Sequence, residues 1–232
     1  MHMDIETVDS DGAIRETAAA AAGDTRAQFF AKAGLLGGGI IGSAALIDPS
    51  IAGAATKKSD VAILNYALTL EYLEAAFYTE AEKMGALSGE LALFARVVGA
   101  HERAHVKGLK AVLGSRAVAR PRFNFRGTTE SAGDFAATAQ VLEDTGVSAY
   151  AGQAPKVKAN AILKAALAIH TVEARHASWI RDLNGDDPAP NAFDEPLTKK
   201  QVLAAVADTR FIVPRRRRRR MSAGDASPTF AG

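Results

Sequence analysis

Two copies of the motif Glu-x-x-His lie within long apolar segments of this chain. The first copy comprises Glu102 and His105, and the second comprises Glu173 and His176. Residues three positions apart lie on one face of an α-helix, so each motif places a carboxylate and an imidazole on the same side of a helical turn. This pair of side chains suits iron or manganese, and the chain has no cysteine that could supply a thiolate. The motifs therefore indicate metal chemistry.

Two further glutamates, Glu71 and Glu143, also interrupt apolar helix faces. An ionised carboxylate is rarely buried without a partner, because its desolvation is costly. Four buried glutamates would in addition repel one another, whereas two divalent cations would cancel their charge. The pattern predicts a dinuclear metal centre in the core of the protein.

The order of these residues repeats along the chain. Leu70-Glu71 with Tyr78 is matched by Leu142-Glu143 with Tyr150, and the first Glu-x-x-His motif is matched by the second. Corresponding residues are 71 or 72 positions apart. The repeat predicts two related helix pairs that face each other across a pseudo-twofold axis, with one metal ion near each.

The segments that carry these residues are predicted to form four long helices. Ser59-Asp60 and Ser88 are expected to cap the first two, and glycine or proline follows each helix. The predicted limits are 59–84, 88–114, 131–151 and 157–184. Short connections join the helices within each pair, and residues 115–130 form a long crossover between the second and third helices. The expected fold is an all-α four-helix bundle with this one crossover.

The body of the chain, from about residue 59 to about residue 184, resembles the ferritin-like superfamily of dinuclear carboxylate proteins. Bacterioferritins, rubrerythrins and manganese catalases belong to that superfamily. Residues 64–68, 70–78, 146–150 and 173–177 are similar in particular to the export-signal-bearing ferritin-like domain family. The resemblance implies a ferritin-like four-helix bundle that holds two Fe or two Mn ions per chain. The metal ligands that it implies are Glu71, Glu102, His105, Glu143, Glu173 and His176.

Several roles within this set stay open from the sequence. Glu74 lies about 60° around the helix from Glu71, so either could be the ligand; Glu71 is preferred because Tyr78 follows it at the spacing seen after Glu143. The carboxylates that bridge the metal ions are expected to be Glu102 and Glu143, or else their counterparts in the repeat.

Four side chains are candidates for roles next to the ligands, namely Tyr78, Tyr150, Glu74 and His170. The tyrosines are expected either to hydrogen-bond to a ligand carboxylate or to serve as core side chains. His170 is expected to lie beside the ligands or in the ordinary core. His101 directly precedes Glu102 and is predicted to point away from the inward face of its helix, as a surface histidine.

The resemblance and the ligand set imply an oxidoreductase that handles O2, peroxide or Fe2+ in stress protection, by ferroxidase, peroxidase or catalase-like chemistry. The alternative is a metal-binding structural protein of the same fold that catalyses nothing. The absence of cysteine excludes disulfides, a thiol nucleophile, an iron–sulfur cluster and a rubredoxin-like segment for electron delivery. A homodimer is a further expectation.

The N-terminal extension, residues 1–56, resembles a twin-arginine (Tat-like) export signal. Thr25-Arg26-Ala27 is followed by two phenylalanines, a lysine and a short apolar stretch. The signal predicts export to the periplasm or cell envelope. The second arginine of the motif is replaced by Ala27, which leaves a cytoplasmic location as the alternative.

The C-terminal part of the chain divides into a loop with a short helix, residues 185–213, and a basic tail, residues 214–232. Arg215–Arg220 is an unbroken run of six arginines, and without it the net charge of +2 becomes −4. The folded body is therefore mildly acidic. The tail is predicted to be disordered, with contact to a polyanion as an alternative role.

Overall fold

The computed structural model describes residues 57–213 of the 232-residue chain. The predicted export signal and the arginine run both lie outside the described residues. Among residues 57–213, no helix has the length and apolar character needed to cross a membrane.

Four long helices form the body of the described chain, which confirms the predicted all-α bundle. They are α1 (Lys58–Met84), α2 (Gly89–Leu113), α3 (Ala132–Gln153) and α4 (Asn160–Leu183). A shorter helix, α5, spans Lys199–Thr209, and 3₁₀ turns follow α2 and α3 at Gly114–Arg116 and Ala154–Lys156. The most extensive packing is between α1 and α2 and between α3 and α4. The two predicted helix pairs are thus present.

The prediction that Ser59-Asp60 caps the first helix is wrong. Lys57 occupies the N-cap position of α1, and no side chain caps that end. Asp60 is fully buried instead, and its two oxygens accept hydrogen bonds from the backbone N–H groups of Lys158 and Ala159, each at 3.0 Å. Because these donors immediately precede α4, one carboxylate satisfies unpaired groups at the start of that helix. The fourth helix accordingly begins at Asn160, three residues later than predicted.

The turn between α1 and α2 follows from the sequence. Gly85 ends α1 with φ 69°, in the left-handed region that favours glycine. Ser88 occupies the N-cap position of α2, as predicted, although its side chain makes no capping hydrogen bond. The short turn makes α1 and α2 antiparallel neighbours.

The long crossover is tied to the C-terminal part of the described chain. Its strand β1 (Arg122–Phe123) pairs antiparallel with β2 (Ile212–Val213), a pairing that the sequence did not predict. Beyond β1, the buried ring of Phe125 meets the rings of Phe77 and Phe211 edge-on. The crossover is therefore anchored on the bundle.

The core contains two apolar clusters. One includes Phe77 and Ala81 of α1, and the other includes Leu64 and Leu68 of the same helix. Along α1 the acidic residues lie between these two sets, so apolar packing on both sides holds them at the middle of the bundle.

Candidate metal centre

The middle of the bundle contains an unusual concentration of buried ionisable side chains. Five glutamates and one histidine are at most 3% exposed, and a second histidine, His105, has a side chain that is 12% exposed. The five glutamates come from all four long helices. The six predicted metal ligands are all in this group. The buried glutamates are Glu71, Glu74, Glu102, Glu143 and Glu173.

Three carboxylates surround the ring nitrogen Nδ1 of His105. It lies 3.2 Å from Oε2 of Glu71, 3.2 Å from Oε2 of Glu102 and 3.0 Å from Oε1 of Glu173. One ring nitrogen carries at most one proton, so it cannot donate a hydrogen bond to all three oxygens. The four ligand atoms lie within 4.8 Å of one another. This first cluster (Glu71, Glu102, His105 and Glu173) could hold a metal ion.

A second cluster surrounds Nδ1 of His176. This atom lies 3.1 Å from Oε2 of Glu143, 3.2 Å from Oε1 of Glu102 and 3.8 Å from Oε2 of Glu173. These four residues also offer ligand atoms within 4.8 Å of one another. The second cluster (Glu102, Glu143, Glu173 and His176) is the counterpart of the first in the sequence repeat.

Two glutamates belong to both clusters. Glu102 directs Oε2 to the first cluster and Oε1 to the second, while Glu173 directs Oε1 to the first and Oε2 to the second. Glu71 and Glu143 each belong to one cluster only. The residues placed to bridge are therefore Glu102 and its repeat counterpart Glu173. Among the alternatives that the sequence left open, the geometry favours this pair, because Glu71 and Glu143 each offer oxygens to a single cluster.

Several oxygens in these clusters lack hydrogen-bond partners. Among the described residues, no group donates a well-formed hydrogen bond to Oε1 of Glu102 or to either oxygen of Glu173. A buried acceptor without a partner costs free energy comparable to a lost hydrogen bond, and more when it is charged. Divalent cations would satisfy these oxygens and offset the negative charge, so the residues present fit a metal centre.

Protons partly balance the carboxylates when no cation is bound. Burial raises the pKa of Glu71 and Glu74 well above the usual range, and it raises the pKa of Glu143 to about 8. Burial acts to lower the pKa of His105 and His176, but the surrounding carboxylates outweigh it and raise both pKa values well above the ordinary value. Metal binding must therefore displace protons.

Glu102 differs from these carboxylates. Burial again acts to raise its pKa, but the imidazoles of His105 and His176, each 3.2 Å from one of its oxygens, outweigh that effect. They hold the pKa of Glu102 well below its usual range. The surroundings of this shared residue thus favour its ionised form.

The two predicted tyrosines make reciprocal hydrogen bonds. The hydroxyl of Tyr78 in α1 donates to Oε1 of Glu143 in α3, and the hydroxyl of Tyr150 in α3 donates to Oε1 of Glu71 in α1. Each glutamate keeps its other oxygen, Oε2, directed at a histidine Nδ1. Both tyrosines therefore orient carboxylates and also connect the two helix pairs.

Glu74 is buried beside the clusters and belongs to neither. The residue that corresponds to it in the repeat is Gly146. A Cβ atom at Gly146 would lie 3.2 Å from Oε1 of Glu74 and 3.4 Å from Oε2 of Glu173. The glycine thus leaves room for the Glu74 carboxyl. Of the two alternatives in α1, Glu71 is the one with an oxygen directed into a cluster.

His101 is exposed, which confirms the prediction of a surface histidine. The sequence did not predict its contact with His176. Its Nδ1 lies 2.9 Å from Nε2 of His176, and the two rings stack at 15° with centroids 5.1 Å apart. The spacing to His105 could have revealed this, because residues four apart share a helix face. The partner, however, is on α4, and only the packing of α2 against α4 shows it.

His170 is half-buried and is part of neither cluster. Its Nδ1 has no hydrogen-bond partner in residues 57–213. Nothing in its contacts assigns it a role at the centre.

The fold and the site together define a four-helix bundle with a carboxylate- and histidine-rich core. Residues 59–186, more than half of the chain, match the family model described as a ferritin-like domain. The chain belongs to this ferritin-like family. No protein of curated function matches the sequence.

Proposed function

We propose that this chain is a dinuclear iron or manganese protein that acts as an oxidoreductase on O2, peroxide or Fe2+ in stress protection. The observation that carries the proposal is the sharing of Glu102 and Glu173 between the two clusters. Carboxylates that offer one oxygen to each of two clusters are suited to bridging two ions. The ions would then be close enough to act on one substrate molecule.

The residues of each cluster have separate tasks in this proposal. Glu71 and His105 would hold one ion, Glu143 and His176 would hold the other, and the shared glutamates would contact both. Two redox ions held there would supply the two electrons that, with two protons, reduce one hydrogen peroxide to two waters. Tyr78 and Tyr150 keep the terminal carboxylates oriented.

An apolar cavity lies beside the first cluster, and it favours a small uncharged oxidant as the substrate. Its volume is about 20 Å³, and its lining includes Leu70 and Ile162. Tyr150 also lines it, and the hydroxyl of this residue binds Glu71. An apolar lining favours a molecule such as O2 over a charged metabolite, because burying an unpaired charge is costly.

The proposal is tested first by metal content and then by turnover. The full chain is loaded anaerobically with Fe2+ or Mn2+, and the bound metal is measured by elemental analysis together with the oligomer mass. We expect two ions per chain and consumption of O2 or peroxide by the loaded protein. The double variant Glu102→Ala/Glu173→Ala is the matched control for both measurements. No bound metal would overturn the proposal, and two bound ions without turnover would favour the structural alternative.

A further inference from the structure

The contact between His101 and His176 gives the second cluster a feature that the first lacks. His176 directs Nδ1 toward the carboxylates of the second cluster and Nε2 toward Nδ1 of His101, 2.9 Å away. His176 is nearly buried, whereas His101 is exposed. The pair therefore links the second cluster to the protein surface.

The chemistry of imidazole sets the direction of this hydrogen bond. A neutral histidine that binds a cation through Nδ1 must carry its proton on Nε2, and that proton needs an acceptor. Nδ1 of His101 is an acceptor when the His101 proton is on its own Nε2. In this arrangement the 2.9 Å contact holds the metal-binding tautomer of His176.

The sequence repeat shows that the contact between His101 and His176 has no counterpart in the first cluster. The residue of α4 that corresponds to His101 is Val172, 71 positions later. A valine side chain has no hydrogen-bond acceptor, and within residues 57–213 no hydrogen bond to Nε2 of His105 is formed. The side chain of His105 is also more exposed than that of His176, at 12% against 4%. The two clusters therefore have matching ligands, but only the histidine of the second cluster has a side chain that contacts its far nitrogen.

We propose that His101 is a positioning residue for His176 and that it makes the second cluster the tighter of two divalent-cation positions, the one that fills first. The proposal rests on the proposed metal-binding function. Partners that hold the far nitrogen of a ligating histidine contribute about 10- to 100-fold to metal affinity. At His105 the carboxylates contact Nδ1 only, and Val172 offers no acceptor to the far nitrogen.

The test compares substitutions at the two corresponding positions in the full chain. Wild type, His101→Ala, His101→Gln and Val172→Ala are titrated anaerobically with Mn2+ in a calorimeter. Crystals grown with one equivalent of Mn2+ then give the occupancy of each position by anomalous scattering. Because His101 is exposed, its substitution is expected to leave the fold intact, which thermal unfolding of the metal-free variants checks.

In wild type we expect the first equivalent of Mn2+ at the second cluster. His101→Ala should weaken that position by about tenfold or more and change the first cluster by less than about twofold. His101→Gln should recover part of the affinity, because its amide oxygen can accept the His176 proton. Val172→Ala should leave both affinities within about twofold of wild type.

Equal affinities of wild type and His101→Ala at the second cluster would overturn the positioning role, as would an equal loss at both clusters. Either result leaves the proposed function in place if wild type binds two ions and turns over. Conversely, two ions in wild type without turnover would overturn the oxidoreductase, while a selective loss in His101→Ala would still support the positioning role. A wild-type chain that binds no Mn2+ would overturn this inference as well.

Discussion

The first helix pair, α1 with α2, and the second, α3 with α4, supply matching residues to the candidate metal centre but differ in the residues beside it. Each pair contributes one glutamate that belongs to a single cluster, one glutamate shared by both, one histidine and one tyrosine. Beside these, Glu74 in the first pair corresponds to Gly146 in the second, and His101 corresponds to Val172. The ligand set is thus symmetric, while its surroundings are not.

The differences show how a duplicated structure can acquire two distinct positions. A terminal glutamate of each pair is oriented by the tyrosine of the other, so neither pair completes its own cluster. Glu74 occupies space that a side chain at position 146 would take. The substitutions below act first on what the two halves share and then on what separates them.

The largest effect is expected from the residues that both clusters share. Replacing either shared glutamate (Glu102→Ala or Glu173→Ala) should remove metal from both clusters, because each contributes an oxygen to both. The metal-free bundle should keep its fold in both variants. Glu173→Ala should relieve carboxylate repulsion, whereas Glu102→Ala should lower stability because His105 and His176 lose a favourable partner. Elemental analysis and thermal unfolding measure the two effects, with Glu130→Ala as a control at an exposed acid. A variant that keeps two ions would contradict the ligand assignment.

The terminal glutamates should separate the two positions. Glu71→Ala is expected to remove only the ion of the first cluster, and Glu143→Ala only that of the second, so each variant should retain about one ion per chain. Glu74→Ala should retain two, because Glu74 is in neither cluster. Metal content combined with anomalous diffraction identifies the occupied position. Loss of both ions from Glu71→Ala would show that the clusters do not fill independently.

The stability of the metal-free protein and that of the metal-loaded protein should change in opposite directions with pH. Burial raises the pKa of Glu143 from 4.5 to about 8, so the fold favours its protonated form. The stabilisation is complete below the ordinary pKa and is lost as the pH rises through about 8, by at most about 1.4 kcal/mol per pH unit for each such group. The raised pKa values of His105 and His176 act in the same direction.

Metal binding, in contrast, needs these groups deprotonated, so Mn2+ affinity should increase over the same range. Thermal unfolding from about pH 5 to about pH 9, with and without Mn2+, compares the two forms. Parallel pH profiles for both forms would show that the ions do not displace these protons.

The smallest effect concerns the asymmetric pair Glu74 and Gly146. Gly146→Ala should gain roughly 0.5–1 kcal/mol from helix propensity, but its Cβ would lie 3.2 Å from Oε1 of Glu74, which is buried and has little room to move. We expect a net loss of about 1 kcal/mol alone and a gain in the Glu74→Ala background. Urea unfolding of the metal-free proteins completes the double-mutant cycle. Additive effects would contradict the steric coupling.

The fold was largely predictable because its determinants are local. Apolar faces with helical spacing, glycines after the helices and serines before them indicate α-helices whatever their partners. Asp60 shows the limit of such reasoning. It stands where a cap for α1 is expected, yet it binds backbone groups almost 100 residues away, at the start of α4. The strand pair of the crossover was missed for the same reason, because both strands are two residues long and form only against each other.

By itself, the sequence determined which residues meet in the core. Charged residues at the middle of apolar helix faces must be buried together, and their repetition at 71 or 72 positions indicates two matching halves. The tertiary structure alone decided which of these residues belong to one cluster and which belong to both. Whether Glu143 or Glu173 joins Glu102 between the two clusters depends on the rotation and separation of four helices, and no single helix contains that information. The same holds for His101, whose partner is on another helix, so helix packing decides which of the two clusters it supports.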